Sequence, residues 1–356
     1  MPLALGLREV LLGDMIRRQP GIASYSRPEE TMKTLTRRST VGLGATALLL
    51  PGLARAQATW PNGPVTFVVG YAAGGGADIN ARELANIESP MIGQQIVVDN
   101  KGGAAGSVGA RVVAAAKPDG QTLFYAVGTN VIINPWVQKG MIDTLATLAP
   151  ICQTTDYQYV LVVNPKVPVK TAAELVALAK KDPEKLTYSS SGVGGNNHLA
   201  GALFADAAGI KITHVPYKGT GPALADVISG VITMNFSSLP PAVGQVKGGN
   251  LKALAVTGEK RIKSMPDVPT LKEQGIDVVV NGWHGLFAPG KTPDAILDKI
   301  AADTKAAMKD PRWDQALAKD GLEMPPDRTR AQFAKFVADE HKFWGAKLKE
   351  LKVEME

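Results

Sequence analysis

Three times in this sequence a short apolar run breaks at a glycine-rich turn and passes straight into an alanine-rich helical pattern. Val65–Val69 leads into Gly70-Tyr71-Ala72-Ala73-Gly74-Gly75-Gly76, residues 186–189 into Ser190-Ser191-Gly192-Val193-Gly194-Gly195, and residues 212–216 into Tyr217-Lys218-Gly219-Thr220-Gly221-Pro222. Strands alternating with helices in this way build largely parallel sheets covered by helices, so the chain reads as α/β. Further strands are expected at 95–98, 122–126, 159–163, 232–236, 251–256 and 278–280. Gly209, Gly230 and Pro118-Asp119-Gly120 terminate helices, and the charged segments 293–308 and 330–351 carry apolar residues at helical spacing, as surface helices do. At 356 residues with 45% hydrophobic residues, the chain is long enough for two lobes, each mostly a parallel sheet flanked by helices.

The first 56 residues are set apart from that pattern. Met32 to Arg38 is basic, 41–53 is apolar, and Ala54-Arg55-Ala56-Gln57-Ala58 follows, the order of an export signal with cleavage after Ala56 or Ala58. Gly42, Gly44, Pro51 and Gly52 shorten the apolar run below the ~20 residues of a bilayer span. Arg37-Arg38 resembles a twin-arginine signal without its usual continuation, so both the twin-arginine and the general secretory route stay open. Translation is expected to begin at Met32, which N-terminal sequencing of the precursor checks. Of the net charge of +6, this leader holds eight Lys+Arg against four Asp+Glu, leaving 31 against 29. The remainder is nearly neutral, has no basic run longer than a pair and has few aromatics, which argues against a nucleic-acid partner. One cysteine, Cys152, excludes an intramolecular disulfide and a Cys-based zinc site, and the four histidines form no helical ligand pair.

The glycine-rich turns are the candidate site. A helix that starts behind a glycine loop presents free N–H groups and the positive end of its dipole to whatever lies ahead, a natural anion receptor. Residues 74–79 lack the last glycine of a dinucleotide fingerprint. Tyr188 stands where a Gly-x-Ser-x-Gly nucleophile loop needs its first glycine, and no base stands at a recognisable spacing. Gly285-Leu286-Phe287-Ala288-Pro289-Gly290-Lys291-Thr292 fits the P-loop spacing, but Pro293 makes Thr292 a helix cap and breaks the phosphate cradle. No cofactor or metal is expected. Two anion-receptive loops on separate lobes suggest a ligand with carboxylates clamped between them.

These residues resemble the tripartite tricarboxylate transporter substrate-binding receptors, or Bug proteins. The resemblance runs over nearly the whole chain after the leader. It is carried by Ala72-Ala73-Gly74-Gly75-Gly76 with Asp78 and Arg82, Asn100-Lys101-Gly102-Gly103-Ala104-Ala105-Gly106, Ser190-x-Gly192-x-Gly194 with His198-Leu199, Val215-Pro216-Tyr217-Lys218-Gly219, and Trp283-x-Gly285-Leu286-x-Ala288-Pro289. The family implies a two-lobed periplasmic binding protein, a Venus flytrap of type II-like architecture. It also implies a small carboxylate ligand and a membrane permease of one large and one small subunit as partner. Gly70-Tyr71, Gly103 and Gly195 depart from the usual Pro-Phe, Pro and Ser/Thr.

The expectation is therefore a monomeric periplasmic receptor, not an enzyme, with lobe one at 57–157 plus 251–356, lobe two at 158–250 and hinges near 152–158 and 247–254. Its ligand contacts are expected from Tyr71, Ala73, Gly74, Gly75 and Asp78 on lobe one and Ser190, Ser191, Gly194, His198 and Tyr217 on lobe two. Thr129 and Ser237, at strand ends, are expected to join them. The alternatives are a binding component that signals to a sensor protein and a hydrolase using the serine loop.

Overall fold

The computed structural model describes residues 60–350 apart from 139 and 184; the expected leader lies outside these residues. Nine strands follow in chain order: β1 (Val65–Val69), β2 (Ile96–Asn100), β3 (Thr122–Val127), β4 (Leu148–Val163), β5 (Thr187–Ser190), β6 (Thr213–Pro216), β7 (Met234–Ser238), β8 (Lys252–Val256) and β9 (Asn281–Pro289). The α-helices are α1 (Gly76–Ile92), α2 (Ser107–Ala114), α3 (Gly128–Ile132), α4 (Asn134–Val137), α5 (Thr144–Thr147), α6 (Ala172–Lys181), α7 (Asn196–Ala208), α8 (Thr220–Ser229), α9 (Leu239–Lys247), α10 (Asp294–Ala307), α11 (Pro311–Asp320) and α12 (Arg330–Glu350). None of these is long and apolar enough to cross a membrane.

The strands run in the order β2-β1-β3-β9-β4-β7-β5-β6, with β8 paired to β4. The outer pairs β2-β1-β3 and β6-β5-β7 are parallel, while β9 and β4 join them through antiparallel pairings. One 16-residue strand, β4, serves both halves. Residues Leu148 to Gln158 pair with β9, and Tyr159 to Val163 pair with β7. Its apolar end is buried on both faces, because Leu161 and Val163 enter one cluster while Val160 and Val162 enter another with Leu224 and Val256.

Two expectations are corrected here. Residues 278–280 are not a strand; Val278 N–H bonds Ile276 O and Val280 N–H bonds Thr257 O, and the strand begins at Asn281. The apolar triplet signals burial, and all three side chains are at least partly buried, but the ladder forms where Gly282 and Gly285 let β9 lie flat against the Tyr157 ring and the Cys152 carbonyl. Nor does the chain leave the β7 side at residue 251. β8 pairs with Val160–Val163, Leu271 N–H bonds Val256 O at 3.0 Å, and Gln274 bonds both Leu254 O and the Ala172 N–H of α6. The run Ala253 to Val256 stays there because it closes the apolar cluster around Val160 and Val162.

Candidate functional site

Where the two halves face each other, thirteen residues line a cavity of about 30 Å³. Four helices begin at its wall. Gly75, Gly76 and Ala77 open α1, Asn196 and Asn197 open α7, Thr220 opens α8, and Ser238 is the N-cap of α9. None of the four has a side-chain cap hydrogen bond, so the first-turn N–H groups they carry are left to whatever occupies the space ahead of them, a full set on α1 and α7, Thr220 and Gly221 on α8, and Leu239 alone on α9, where Pro240 and Pro241 have none. Each helix end carries roughly half a positive charge, and four converging ends can neutralise an anion without any ionised side chain. No Lys, Arg, Asp or Glu lines the cavity.

Side chains complete this donor field. Asn197 Oδ1 accepts from Ser191 N–H at 3.1 Å and from Ser191 Oγ at 2.8 Å, which fixes the amide so that Nδ2 is its remaining group. That Nδ2 and the hydroxyl of Ser238 are buried without a partner among the described residues. The floor is aromatic. Tyr157 and Tyr159 share a hydrogen bond of 3.1 Å, and His284 stacks on Tyr157 with ring centroids 4.6 Å apart while its Nδ1 lies 2.8 Å from Thr155 Oγ1. Burial drives the His284 pKa down to about 3 and the phenols of Tyr71, Tyr157 and Tyr159 up, so all four are neutral at ordinary pH.

The halves touch around the cavity. Ala72 N–H donates to Lys218 O at 2.9 Å, and Gln138 Nε2 donates both to Ala104 O and, across the seam, to Val193 O at 2.9 Å. A Cβ on Gly76 would sit 2.8 Å from Ser238 Oγ, and one on Gly192 would sit 2.9 Å from Ala105 N, so glycine permits the approach at both contacts.

Of the expected contact residues, Tyr71, Gly75 and Ser191 line the cavity. Tyr71 is held there by donating to Ala105 O at 2.9 Å and accepting from Asn130 at 2.7 Å. The others are near it in sequence but absent from its lining. Ala73 and Gly74 are exposed, and the Gly74 N–H is taken by Asp78 Oδ2 at 2.9 Å. The other Asp78 oxygen accepts from Arg82, so this carboxylate braces the loop. Ser190 is fully buried with its Oγ 2.6 Å from His214 Nε2. His198 lies against His214 with tilted rings whose centroids are 4.2 Å apart, and its Nδ1 accepts from Gly194 N–H; burial lowers these two histidines to about 4 and about 3. Gly194 packs against Val137, Tyr217 donates to Asp226, Ser237 donates to Ser238 O, and Thr129 is buried in the first turn of α3.

The Ser190–His214 contact has a hydrolase look, but Ser190 is 0% exposed and does not line the cavity. The P-loop lookalike is also accounted for, since Gly285 to Pro289 lies within β9. Sequence reasoning passed over Gly76, Ala77, Val127, Tyr157, Tyr159, Asn196, Asn197, Thr220, Ser238 and His284. Ser238 ahead of Leu239-Pro240-Pro241 is a legible helix start, whereas the phenols reach the cavity only through strand pairing.

Comparison with known proteins decides the family. The model for the family described as "Tripartite tricarboxylate transporter family receptor" matches residues 80–353. The chain belongs to that receptor family. A protein of Agrobacterium vitis from the TAR-I ttuE-ttuC' intergenic region is 41% identical over 270 residues, 75% of this receptor and 77% of its relative. An R. palustris protein solved with adipate is 29% identical, with a TM-score of 0.80 over 83% of this receptor and 100% of that chain. MatC of Rhodopseudomonas palustris, solved with bound malate, is 28% identical, with a TM-score of 0.77 over 80% and 99%. The receptor has the periplasmic binding protein fold, as BugD does, and receptors of this family bind solutes.

Proposed function

We propose that this receptor is exported to the periplasm, captures a small carboxylate between its two lobes, and delivers it to a membrane permease of one large and one small subunit. The observation that carries this reading is the convergence of four uncapped helix N-termini, with the buried donors of Asn197 and Ser238, on one cavity without ionised side chains. Such a site rewards a group rich in acceptor oxygens and bearing negative charge. The adipate and malate held by the two R. palustris neighbours support a dicarboxylate. Tyr71, Gly75 and Ser191 are the contacts in common with the sequence reading; Asp78, Ser190, Gly194, His198 and Tyr217 hold the loops that present them.

The change of partner along β4 at Gln158 and Tyr159 supports a hinge there, and a ligand that touches both lobes favours the closed state through that double contact. A thermal-shift screen of carboxylates tests the proposal. At about 100 times its Kd, a ligand of the native state adds about 2.7 kcal/mol of stability, so malate or adipate is expected to raise Tm by several degrees. If no carboxylate moves Tm while another class of solute does, the reading is wrong.

A further inference from the structure

The floor of the cavity holds a hydrogen-bond donor that the protein itself does not use. Tyr157 and Tyr159 carry two hydroxyl protons between them and form one mutual bond of 3.1 Å. Whichever ring donates, one proton is left, because the other partner of Tyr159, the Asn196 side chain, holds its pKa down as a donor to the phenol oxygen does and takes no proton from it. Both rings line the cavity and both are neutral, so the leftover proton is available to a bound molecule. Tyr71 differs, because its hydroxyl proton is already committed to Ala105 O.

Position gives this donor its meaning. Tyr159 lies directly opposite Ser238 across the β4–β7 ladder, and Tyr157 lies opposite Gly282 on β9, beside the His284 ring. Residues directly opposite in an antiparallel pair have Cβ atoms about 4.5–5.5 Å apart. The phenol pair thus begins next to the α9 end of the donor field and runs toward β9. Ser238, Asn197, Tyr157 and Tyr159 line the same cavity, so a carboxylate held by the first two shares that space with the phenol donor. Left without an acceptor in a closed, buried site, that donor is penalised.

We infer that the Tyr157–Tyr159 pair sets ligand choice, selecting a short dicarboxylic acid that carries an additional hydroxyl or keto oxygen near one carboxylate over the same acid without it. This rests on the carboxylate reading and goes beyond it by naming the substituent and the side chains that sense it. The selection follows the rule that a site built to hydrogen-bond an oxygen discriminates strongly against the analogue lacking it. Either phenol alone still offers one proton, so a single Tyr→Phe change moves the donor without deleting it, and only the double change removes it.

Calorimetric titration of the purified protein with malate and succinate, which differ by one hydroxyl, tests the inference. The wild type is expected to bind malate at least about tenfold more tightly than succinate. Tyr157→Phe/Tyr159→Phe is expected to bring that ratio close to one, by weakening malate and relieving the penalty on succinate, with circular dichroism and an unchanged two-state melt reporting that the double variant is folded. Each single variant is expected to keep a preference for malate. Equal wild-type affinities, or a ratio that survives the double change, overturn the inference and leave the carboxylate reading standing. Wild type that binds neither acid but binds another carboxylate also overturns it. Failure to bind any carboxylate removes both.

Discussion

Asn197 shows how a single side chain converts a loop into a receptor surface. Its Oδ1 is committed to Ser191, so the amide cannot flip, and its Nδ2 stays buried as a donor at the cavity. Asn197→Asp keeps the shape and the accepted bonds but places a carboxylate oxygen where the donor stood. A buried like charge opposes an anionic ligand, so affinity for the carboxylates that bind is expected to fall about 100-fold, measured by calorimetry. Ser190 provides the contrast. Its hydroxyl bonds His214 at 2.6 Å and takes the Gly192 N–H at 3.1 Å, all within the support of β5 and β6. Ser190→Ala is expected to cost about 1–2 kcal/mol in urea denaturation while leaving ligand affinity within about threefold. A loss of affinity well beyond that would return Ser190 to the contact set that its place in the serine-rich loop first suggested.

Individual elements differ in how much of them the sequence discloses. β1 is legible to the residue because five consecutive apolar or β-branched residues end at a glycine, whereas the Leu148–Gln158 half of β4 is not, since Gln153-Thr154-Thr155-Asp156 interrupts the apolar run. Those polar residues are tolerated because Thr154, Thr155 and Gln153 find partners in Tyr125, His284 and Arg328. The site follows the same logic. The glycine loops, and Ser238 ahead of its prolines, mark where helices begin, but which of their residues meet depends on pairing between distant strands, so the two phenols are beyond local pattern. The start of α1 offers a test at this scale. Gly76 stands in the first turn, where alanine is the better helix former, yet a Cβ there would press within 2.8 Å of Ser238 Oγ. Gly76→Ala is expected to weaken ligand binding about tenfold, because the added methyl strains the arrangement in which Gly76 meets Ser238. Unaltered binding would mean that the lobes do not close to this contact.

At the scale of the whole molecule, two sets of buried titrating groups pull stability in opposite directions with pH. Glu88 on α1 is 1% exposed, accepts one bond from Thr304 of α10, and leaves its second oxygen unpartnered. Burial raises its pKa to about 8, so the fold prefers its protonated form. Stability from that preference is full below the unfolded carboxyl range near 4.5 and is lost as pH rises through about 8, a slope of about 1.4 kcal/mol per pH unit inside the window. Asp156, raised to about 6 by burial, acts in the same direction over a lower window. His284, His198 and His214 act oppositely: burial lowers them to about 3, 4 and 3, so their contribution is intact above about 6.5 and is lost as pH falls toward those values. Only from about pH 7.5 upward are the histidines neutral in both states, and of these groups Glu88 alone then still titrates. Wild type is therefore expected to lose stability above about pH 7.5 in urea denaturation at fixed ionic strength, and Glu88→Gln, which cannot ionise, is expected to flatten that part of the profile whatever constant offset it adds. Parallel profiles for the two proteins would place the titrating group elsewhere. Because α1 carries Glu88 in its last turns and the cavity amides of Gly76 and Ala77 in its first, a saturating carboxylate is expected to offset this alkaline loss by stabilising the same helix's folded position, about 2.7 kcal/mol at 100 times Kd against about 1 kcal/mol lost above pH 7.5.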